Sequence, residues 1–360
     1  MRVLFVNRSS FLSFKGGDTT QLLMTAQELR KLNVDVTIYE PGTTINDTQF
    51  DLIHFFNITR PATILAILKK SKLPFVVSTI YADYTFYKFI NPWNKMGLLM
   101  RIFGSDGVEY FKSVAKHLLK KEQLDYLPFF WKGQRKSIQQ ILAKASCLLP
   151  NSESEYLRLK SRYPNAKKYA VIPNGVDTTK FAVTTSVERK SGQLICAAMI
   201  EPRKNQLNLI RAIKDSNYSL FIVGEHAPNH RAYYEQCVAE AGPNVTFVGR
   251  LEYDELVGFY LQSEIHVMPS WFETTGLSSL EAAFLGCKVI VSPMGDTKDY
   301  FEDMVGYCAP NDVSAIRKAI DSAHKNVLDK RLKEKVIHTY NWTTTALKTA
   351  EVYAEIIKKK

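Results

Sequence analysis

Short β-branched runs alternate with longer stretches of helical period along almost the whole chain. In the first half VLFV (3–6), VDVTIY (34–39), LIHFF (52–56), FVVSTI (75–80), CLLP (147–150) and YAVIP (169–173) have the length and composition of strands. Between them the period changes: TTQLLMTAQELRKLN sets Leu22, Leu23, Ala26 and Leu29 along one helical face. Alternation of this kind predicts βαβ units, a parallel sheet with helices packed on it.

The rhythm pauses at PNGVDTTKFAVTTSVERKSG (173–192), which is polar, rich in turn residues and poor in large apolar ones. It restarts with QLICAAMI, SLFIVG, VTFVG, IHVMP and KVIVSP, the strands of a second α/β unit of similar size. At 360 residues the chain exceeds what one hydrophobic core usually organises. A linker inside 176–192 is therefore expected, with a first domain at 1–178 and a second from 179. Two Rossmann-like halves of this kind are expected to face each other across a cleft, and open parallel sheets present ligands at the carboxyl ends of their strands. Residues that follow strands are the ones to inspect.

Composition narrows the class. A hydrophobic fraction of 46 % excludes a disordered chain. MRVLFVN has a lone Arg2 before a β-branched run and reads as a strand, not as a signal peptide, and no apolar stretch approaches the roughly 20 residues that span a bilayer. The expectation is a cytoplasmic protein, at most peripheral on the inner face of a membrane. Cys147, Cys196, Cys237, Cys287 and Cys308 are scattered without a C-x-x-C pair and read as buried thiols of a reducing compartment. Neither H-E-x-x-H nor D-x-D occurs, so no metal site and no other cofactor is expected.

The formal charge of +11 is unevenly placed, with thirteen Lys and Arg against five acids between positions 69 and 136. That segment also carries YTFYKFINPW and LDYLPFFWKG, aromatics interleaved with cations. It suits an anionic membrane surface or a polyanionic ligand, or is simply a solvated basic face. No helix-turn-helix or ribonucleoprotein motif stands beside the charge, which argues against a nucleic-acid partner.

Three loops after strands carry candidate chemistry. In NRSSFLSFKGGDTTQLL, Gly16 and Gly17 precede a helix for which Asp18 and Thr19 are natural caps; adjacent glycines let backbone amides approach an anion, or form an ordinary turn. In MIEPRKNQLNLIRA, Arg203 and Lys204 fall between a strand and a helix, a planar fork and a point charge suited to a diphosphate, or else an exposed loop pair. In PSWFETTGLSSLEAAFLG, Thr275, Gly276 and Leu277 open a helix whose first amides favour an anion, with Glu273 before it and Glu281 within it. A glutamate that accepts from two hydroxyls can hold a ribose, and the apolar neighbours of Glu281 argue against a plain surface carboxylate. Anion and polyol sites together fit a sugar nucleotide.

On KGGDTTQLLMTAQEL, LLPNSESEYLRL, VIPNGVDTTKF, EPRKNQLNLIRA, VTFVGRL and the E-x7-E of ETTGLSSLEA, the chain resembles the family 4 retaining glycosyltransferases of the GT-B fold. The resemblance covers nearly the whole chain and implies a metal-independent hexosyltransferase. By it, Arg203 and Lys204 neutralise the diphosphate, Glu281 holds the ribose, Glu273 holds the donor sugar, and Gly17 lies near the diphosphate. Gly249 and Leu251 bound the base. The second domain then ends near 341, and a final helix, 342–360, crosses back to the first, which binds the acceptor. The implied reaction moves a hexose from a sugar nucleotide, UDP before GDP, to a glycan hydroxyl with retention. The glycan acceptor is lipid-linked if the basic segment marks a membrane, as in surface polysaccharide synthesis. Where many members carry a histidine after the fourth strand this chain has VVSTIYADYTFYKF, so Tyr81 or Asp83 is the candidate sugar or acceptor contact. A sugar-nucleotide epimerase and a non-catalytic glycan-binding scaffold are the other readings. Truncation at Glu281 or Lys204 is expected to abolish donor use with little change in thermal midpoint.

Overall fold

The computed structural model of the chain describes residues 1–7, 16–82, 95–118, 126–179 and 187–358. The chain divides into two compact units, Met1–Asn174 with Trp342–Lys360, and Gly175–Asn341.

In the first unit, among the described residues, β1 (Arg2–Val6), β2 (Asp35–Ile38), β3 (Leu52–Phe56), β4 (Phe75–Ser78) and β5 (Cys147–Leu149) form a five-stranded sheet in the order β2-β1-β3-β4-β5. Every pairing is parallel. β3 and β4 are buried along their whole length, because helices cover both faces. Alternate residues serve two cores. Val3, Phe5, Leu52, Phe56 and Val76 pack with helix Gly17–Lys31 and, through Ala346, Tyr353 and Ile356, with the C-terminal helix Trp342–Ile357. Leu4, Val6, Ile53, Phe55 and Val77 pack with helices Pro61–Leu68, Phe129–Lys144 and Glu153–Arg162. The expected strand at 169–173 is a correction: Tyr169 makes a single parallel bridge to Leu148, and Ala170 donates to the Leu148 carbonyl at 2.9 Å. Ile172 N–H still donates to the Pro150 carbonyl at 2.9 Å, but Pro150 has no N–H to return, so the ladder does not extend.

A buried polar layer fastens the last helix to this sheet. His54 contacts the Tyr353 hydroxyl at 2.5 Å and the Ser78 hydroxyl at 2.8 Å, and Gln21 donates to Asn151 at 2.9 Å. Burial pushes the His54 imidazole down to about 3, so it stays neutral and serves as a hydrogen-bonding wedge.

In the second unit β6 (Lys190–Ala197), β7 (Ser219–Val223), β8 (Val245–Gly249), β9 (Ser263–Met268), β10 (Lys288–Val291) and β11 (Gly306–Tyr307) form a parallel sheet in the order β11-β10-β9-β6-β7-β8. From β6 the chain winds outward through β7 and β8, then returns to lay β9 on the other side. That order is the doubly wound dinucleotide-fold order, and its direction reverses between β6 and β9. All five cysteines are buried and unbonded to one another.

Candidate active site

The second sheet has its switch point where the loops after β6 and β9 part, and those loops carry the predicted cations and the first glutamate. After β6 comes one tight turn, Pro202–Lys204, closed by Asn205 in the left-handed region (φ 62°) before helix Gln206–Ile213. Asparagine tolerates that conformation. Its amide also donates to the carbonyls of Pro269 and Pro310, at 2.9 and 2.7 Å, tying this turn to the loops after β9 and β11. The backbone joins in: Trp271 N–H donates to the Arg203 carbonyl at 2.8 Å, and the Arg203 guanidinium donates to the Phe272 carbonyl at 3.2 Å.

With the loops fixed, the Lys204 ammonium meets the Glu273 carboxylate at 2.6 Å, with the side chains only 14 % and 6 % exposed. Burial alone would raise the Glu273 carboxyl, but Lys204, Arg203 and Ser270 hold it below the usual carboxylate range. Arg203 is held beside it by Glu201, which accepts from Nε at 3.0 Å and from Nη2 at 2.6 Å. His230 stands 3.7 Å from the other Glu201 oxygen. Beneath lies His266 on β9, fully buried, bonded to Ser279 at 3.0 Å and pushed down to about 3 by burial and then by Lys204.

Glu273 has little backbone freedom. Its N–H donates to Met294 and its carbonyl accepts from Asp296 N–H at 2.8 Å, so the loop after β10 grips both sides. Gly295 permits this contact: its φ is +89°, and an added Cβ would sit 2.0 Å from the Glu273 carbonyl oxygen.

Three residues on, Gly276 takes the left-handed conformation (φ 70°) and helix Leu277–Phe284 begins. Ser279 and Leu280 N–H both return to the Gly276 carbonyl, so the amides ahead of them precede the helical ladder and lend its positive end. Thr275 is buried, with its hydroxyl 3.4 Å from that of Tyr300. Glu281 lies one turn beyond Leu277 on the same face. Burial pushes its carboxyl up to about 7, against the pull of the adjoining Tyr260 hydroxyl. The Glu281 charge is also felt by Tyr253, two residues past Leu251. This joins the second glutamate to the loop after β8, where Gly249 is left-handed (φ 80°) and accepts from Gly224 N–H at 2.8 Å. Leu251 packs on the second core.

Of the expected residues, then, Arg203, Lys204 and Glu273 meet, while Glu281 joins the β8 loop through Tyr253. Sequence reasoning missed Glu201, His230, His266, Ser270, Tyr253 and Gly295. Glu201 and Ser270 each sit in a quoted strand-end loop and could have been weighed; the others show no local signal. The ion pair also corrects one expectation, since truncating Lys204 would strand a buried carboxylate and must lower stability.

The remaining expected residues belong to the first unit. Gly16 is extended (φ −125°) and its carbonyl accepts from Thr19 and Thr20, so the helix starts at Gly17 without a side-chain cap. Asp18 and Thr19, expected as caps, lie inside the first turn. A Cβ on Gly17 would meet nothing within 4 Å. Tyr81 differs from its expected place at an open pocket: its ring is buried edge-on to Tyr163, 6.1 Å between centroids. Its N–H donates to the buried Glu155 carboxylate at 2.8 Å, and Glu155 also accepts from Thr79 Oγ1 and from Asn151 N–H. Ile80 just before it has φ 44°, a strained value for a β-branched residue. Asp83 lies outside the described residues. Among those residues no group of three His, Cys, Asp or Glu stands ready to hold a metal ion.

A doubly wound sheet with cations, a buried carboxylate and a helix start at its switch point defines a domain of the dinucleotide-fold class. Residues 178–338 match the family described as glycosyl transferases group 1. The chain is 25 % identical over 186 residues to a GDP-mannose-dependent monoacylated alpha-(1-6)-phosphatidylinositol monomannoside mannosyltransferase of Corynebacterium glutamicum, covering 45 % of this chain and 48 % of the relative. It is 24 % identical over 234 residues to the UDP-Gal:alpha-D-GlcNAc-diphosphoundecaprenol alpha-1,3-galactosyltransferase of Escherichia coli, covering 58 % and 60 %. The chain spans about half the length of several of the curated relatives it matches. Among solved structures, sucrose-phosphate synthase of Thermosynechococcus elongatus superposes over 100 % of both chains with a TM-score of 0.74 at 18 % identity. The chain has the GT-B fold, and its second unit matches the model of the group 1 glycosyl transferases along nearly its whole length.

Proposed function

We propose that the protein is a retaining glycosyltransferase that moves a hexose from a sugar nucleotide, with UDP preferred to GDP, to a hydroxyl of a lipid-linked glycan in surface polysaccharide synthesis. The observation that carries this reading is the buried Lys204–Glu273 pair at the switch point of the second sheet, next to Arg203 and the helix opened by Gly276. A diphosphate entering there takes Lys204 from Glu273 and completes its shell with Arg203 and the amides at Gly276 and Leu277. Glu273, released from its cation, accepts from a hydroxyl of the donor sugar. Glu281 accepts from the ribose hydroxyls, and Gly249, Leu251 and Tyr253 bound the base.

In the transfer, the bond between the anomeric carbon and the diphosphate oxygen breaks, and its electron pair leaves with the nucleotide. The acceptor oxygen bonds the anomeric carbon on the face just vacated, and its proton passes to the departing phosphate oxygen. The developing charge is met by Arg203, Lys204 and the helix dipole, the role a metal ion would otherwise fill. The named substrates of the relatives, GDP-mannose with a phosphatidylinositol acceptor and UDP-Gal with a diphosphoundecaprenol acceptor, support both the sugar-nucleotide donor and the lipid-linked acceptor.

A thermal-shift screen across UDP, GDP and their sugars tests the donor: the expected outcome is a rise in midpoint with UDP that exceeds the rise with GDP. No shift with any nucleotide would remove the proposal. Incubating the best sugar nucleotide without acceptor separates transfer from epimerisation, since only an epimerase converts the sugar alone.

A further inference from the structure

The first unit carries an apolar face that its core does not use. Helix Lys95–Leu118 breaks at Gly104, where φ is 65° and ψ −177°, and helix Phe129–Lys144 breaks the same way at Gly133. On the first half of the former, Leu98 and Ile102 are one turn apart, as are Leu99 and Phe103, and all four are exposed, Ile102 by 64 %. Phe103 lies 4.8 Å from the ring of exposed Phe111, which extends the face past the break. Phe111 neighbours Tyr110, whose hydroxyl donates to the Phe130 carbonyl at 2.8 Å; Trp131 follows, 71 % exposed. Contiguous side chains of this size are rarely left in water on a protein without a partner.

Among the described residues of 95–118 and 126–144, the exposed charges share one sign. Arg101, Arg135 and Lys136 are exposed. Segments 95–118 and 126–144 contain two acids, and both are turned inward: Asp106 accepts from Arg162 at 2.7 Å and from Tyr163 at 2.6 Å, while Glu109 is buried against Lys112 at 2.9 Å. The same bonds to Asp106 fasten the helix to Glu153–Arg162, so the face is presented on an anchored element. A second copy of the chain would bring like charges together on a protein that already carries +11. A nucleic acid would gain nothing from Leu98, Leu99 and Ile102. A bilayer rich in anionic lipid offers acyl chains to the aliphatic and aromatic side chains and headgroups to the cations.

We propose that this face, built on Leu98, Ile102, Phe103, Phe111 and Trp131 with Arg101, Arg135 and Lys136 at its margin, seats the protein on an anionic membrane surface. It deepens the proposed transfer to a lipid-linked acceptor and rests on that reading only for its purpose. Of the basic segment 69–136, residues 83–94 and 119–125 lie outside the described residues.

Cosedimentation with vesicles of phosphatidylcholine alone, or with about one third phosphatidylglycerol, tests it. The full chain is expected to pellet with the anionic vesicles and to stay in solution with the neutral ones. An Ile102→Glu/Phe103→Glu variant should lose roughly tenfold or more in partition, and Arg135→Glu/Lys136→Glu roughly several-fold, the latter deficit relative to wild type shrinking at high salt. Both variants should keep the wild-type thermal shift with nucleotide. The surface is overturned by a wild type that ignores anionic vesicles, or by an Ile102→Glu/Phe103→Glu variant that pellets as well as wild type. A wild-type dimer in light scattering that this variant converts to monomer would overturn it too, assigning the face to a second copy. A protein that pellets yet shifts with no nucleotide leaves the surface standing and removes the transfer; the reverse removes the surface alone.

Discussion

Replacing Lys204 by alanine separates a site that merely binds anions from one that already holds a buried charge pair. The ammonium and the Glu273 carboxylate are 2.6 Å apart and nearly shielded from water. Removing one partner of such a pair costs about 3–5 kcal/mol, because the other charge stays desolvated without compensation. Lys204→Ala should therefore lower the stability of the second unit by about that much in urea titrations. Glu273→Gln, which removes the charge and keeps the shape, should cost less than leaving the carboxylate bare. The double variant Lys204→Met/Glu273→Leu should recover most of the loss, so the cycle reports a coupling of the two side chains. The pH dependence gives an independent sign. In wild type the Glu273 carboxyl sits below its unfolded value, so its contribution is present above the unfolded pKa and disappears as pH falls through the folded one. Without Lys204, burial raises the same carboxyl, the folded state then holds the extra proton, and the deficit should shrink as pH falls toward 4 to 5, roughly the unfolded range. A Lys204→Ala protein within about 1 kcal/mol of wild type, with an unaltered pH profile, would refute the reasoning.

Three further outcomes are expected. Glu281, pushed up to about 7, accepts ribose hydroxyls best when ionised, so the donor KM should fall as pH rises through neutrality in wild type and stay flat in Glu281→Gln; a matching slope in the variant would exclude this group. Gly295→Ala places a methyl 2.0 Å from the Glu273 carbonyl at φ +89°, and should cost several kcal/mol, of order 2–4, with loss of donor binding in thermal shift; wild-type stability would show that the loop after β10 is freer than drawn. Gly17→Ala meets no neighbour at the start of its helix and should leave the midpoint unchanged or slightly higher; a clear fall in midpoint would show that the added methyl is not accommodated.

Much of this protein is fixed by local pattern. Two runs of strands divided by a polar stretch dictate two parallel α/β units, since uninterrupted apolar strands demand helices on both faces. The positions after β6 and β9 single out Arg203, Lys204, Glu273 and Glu281, because open parallel sheets present ligands at the carboxyl ends of their strands. Tertiary structure alone decided the rest. Which strands become neighbours sets the switch point between β6 and β9, and that adjacency turns Lys204 and Glu273, sixty-nine positions apart, into one buried pair. It also turns a tyrosine expected at a pocket into core, makes Gly295 the support of a distant glutamate, and gathers Leu98, Ile102, Phe103 and Phe111 into a face. Local periodicity reports what a segment can bury, whereas charge pairing, pKa and close approach depend on which distant segment arrives opposite, and no local pattern encodes that.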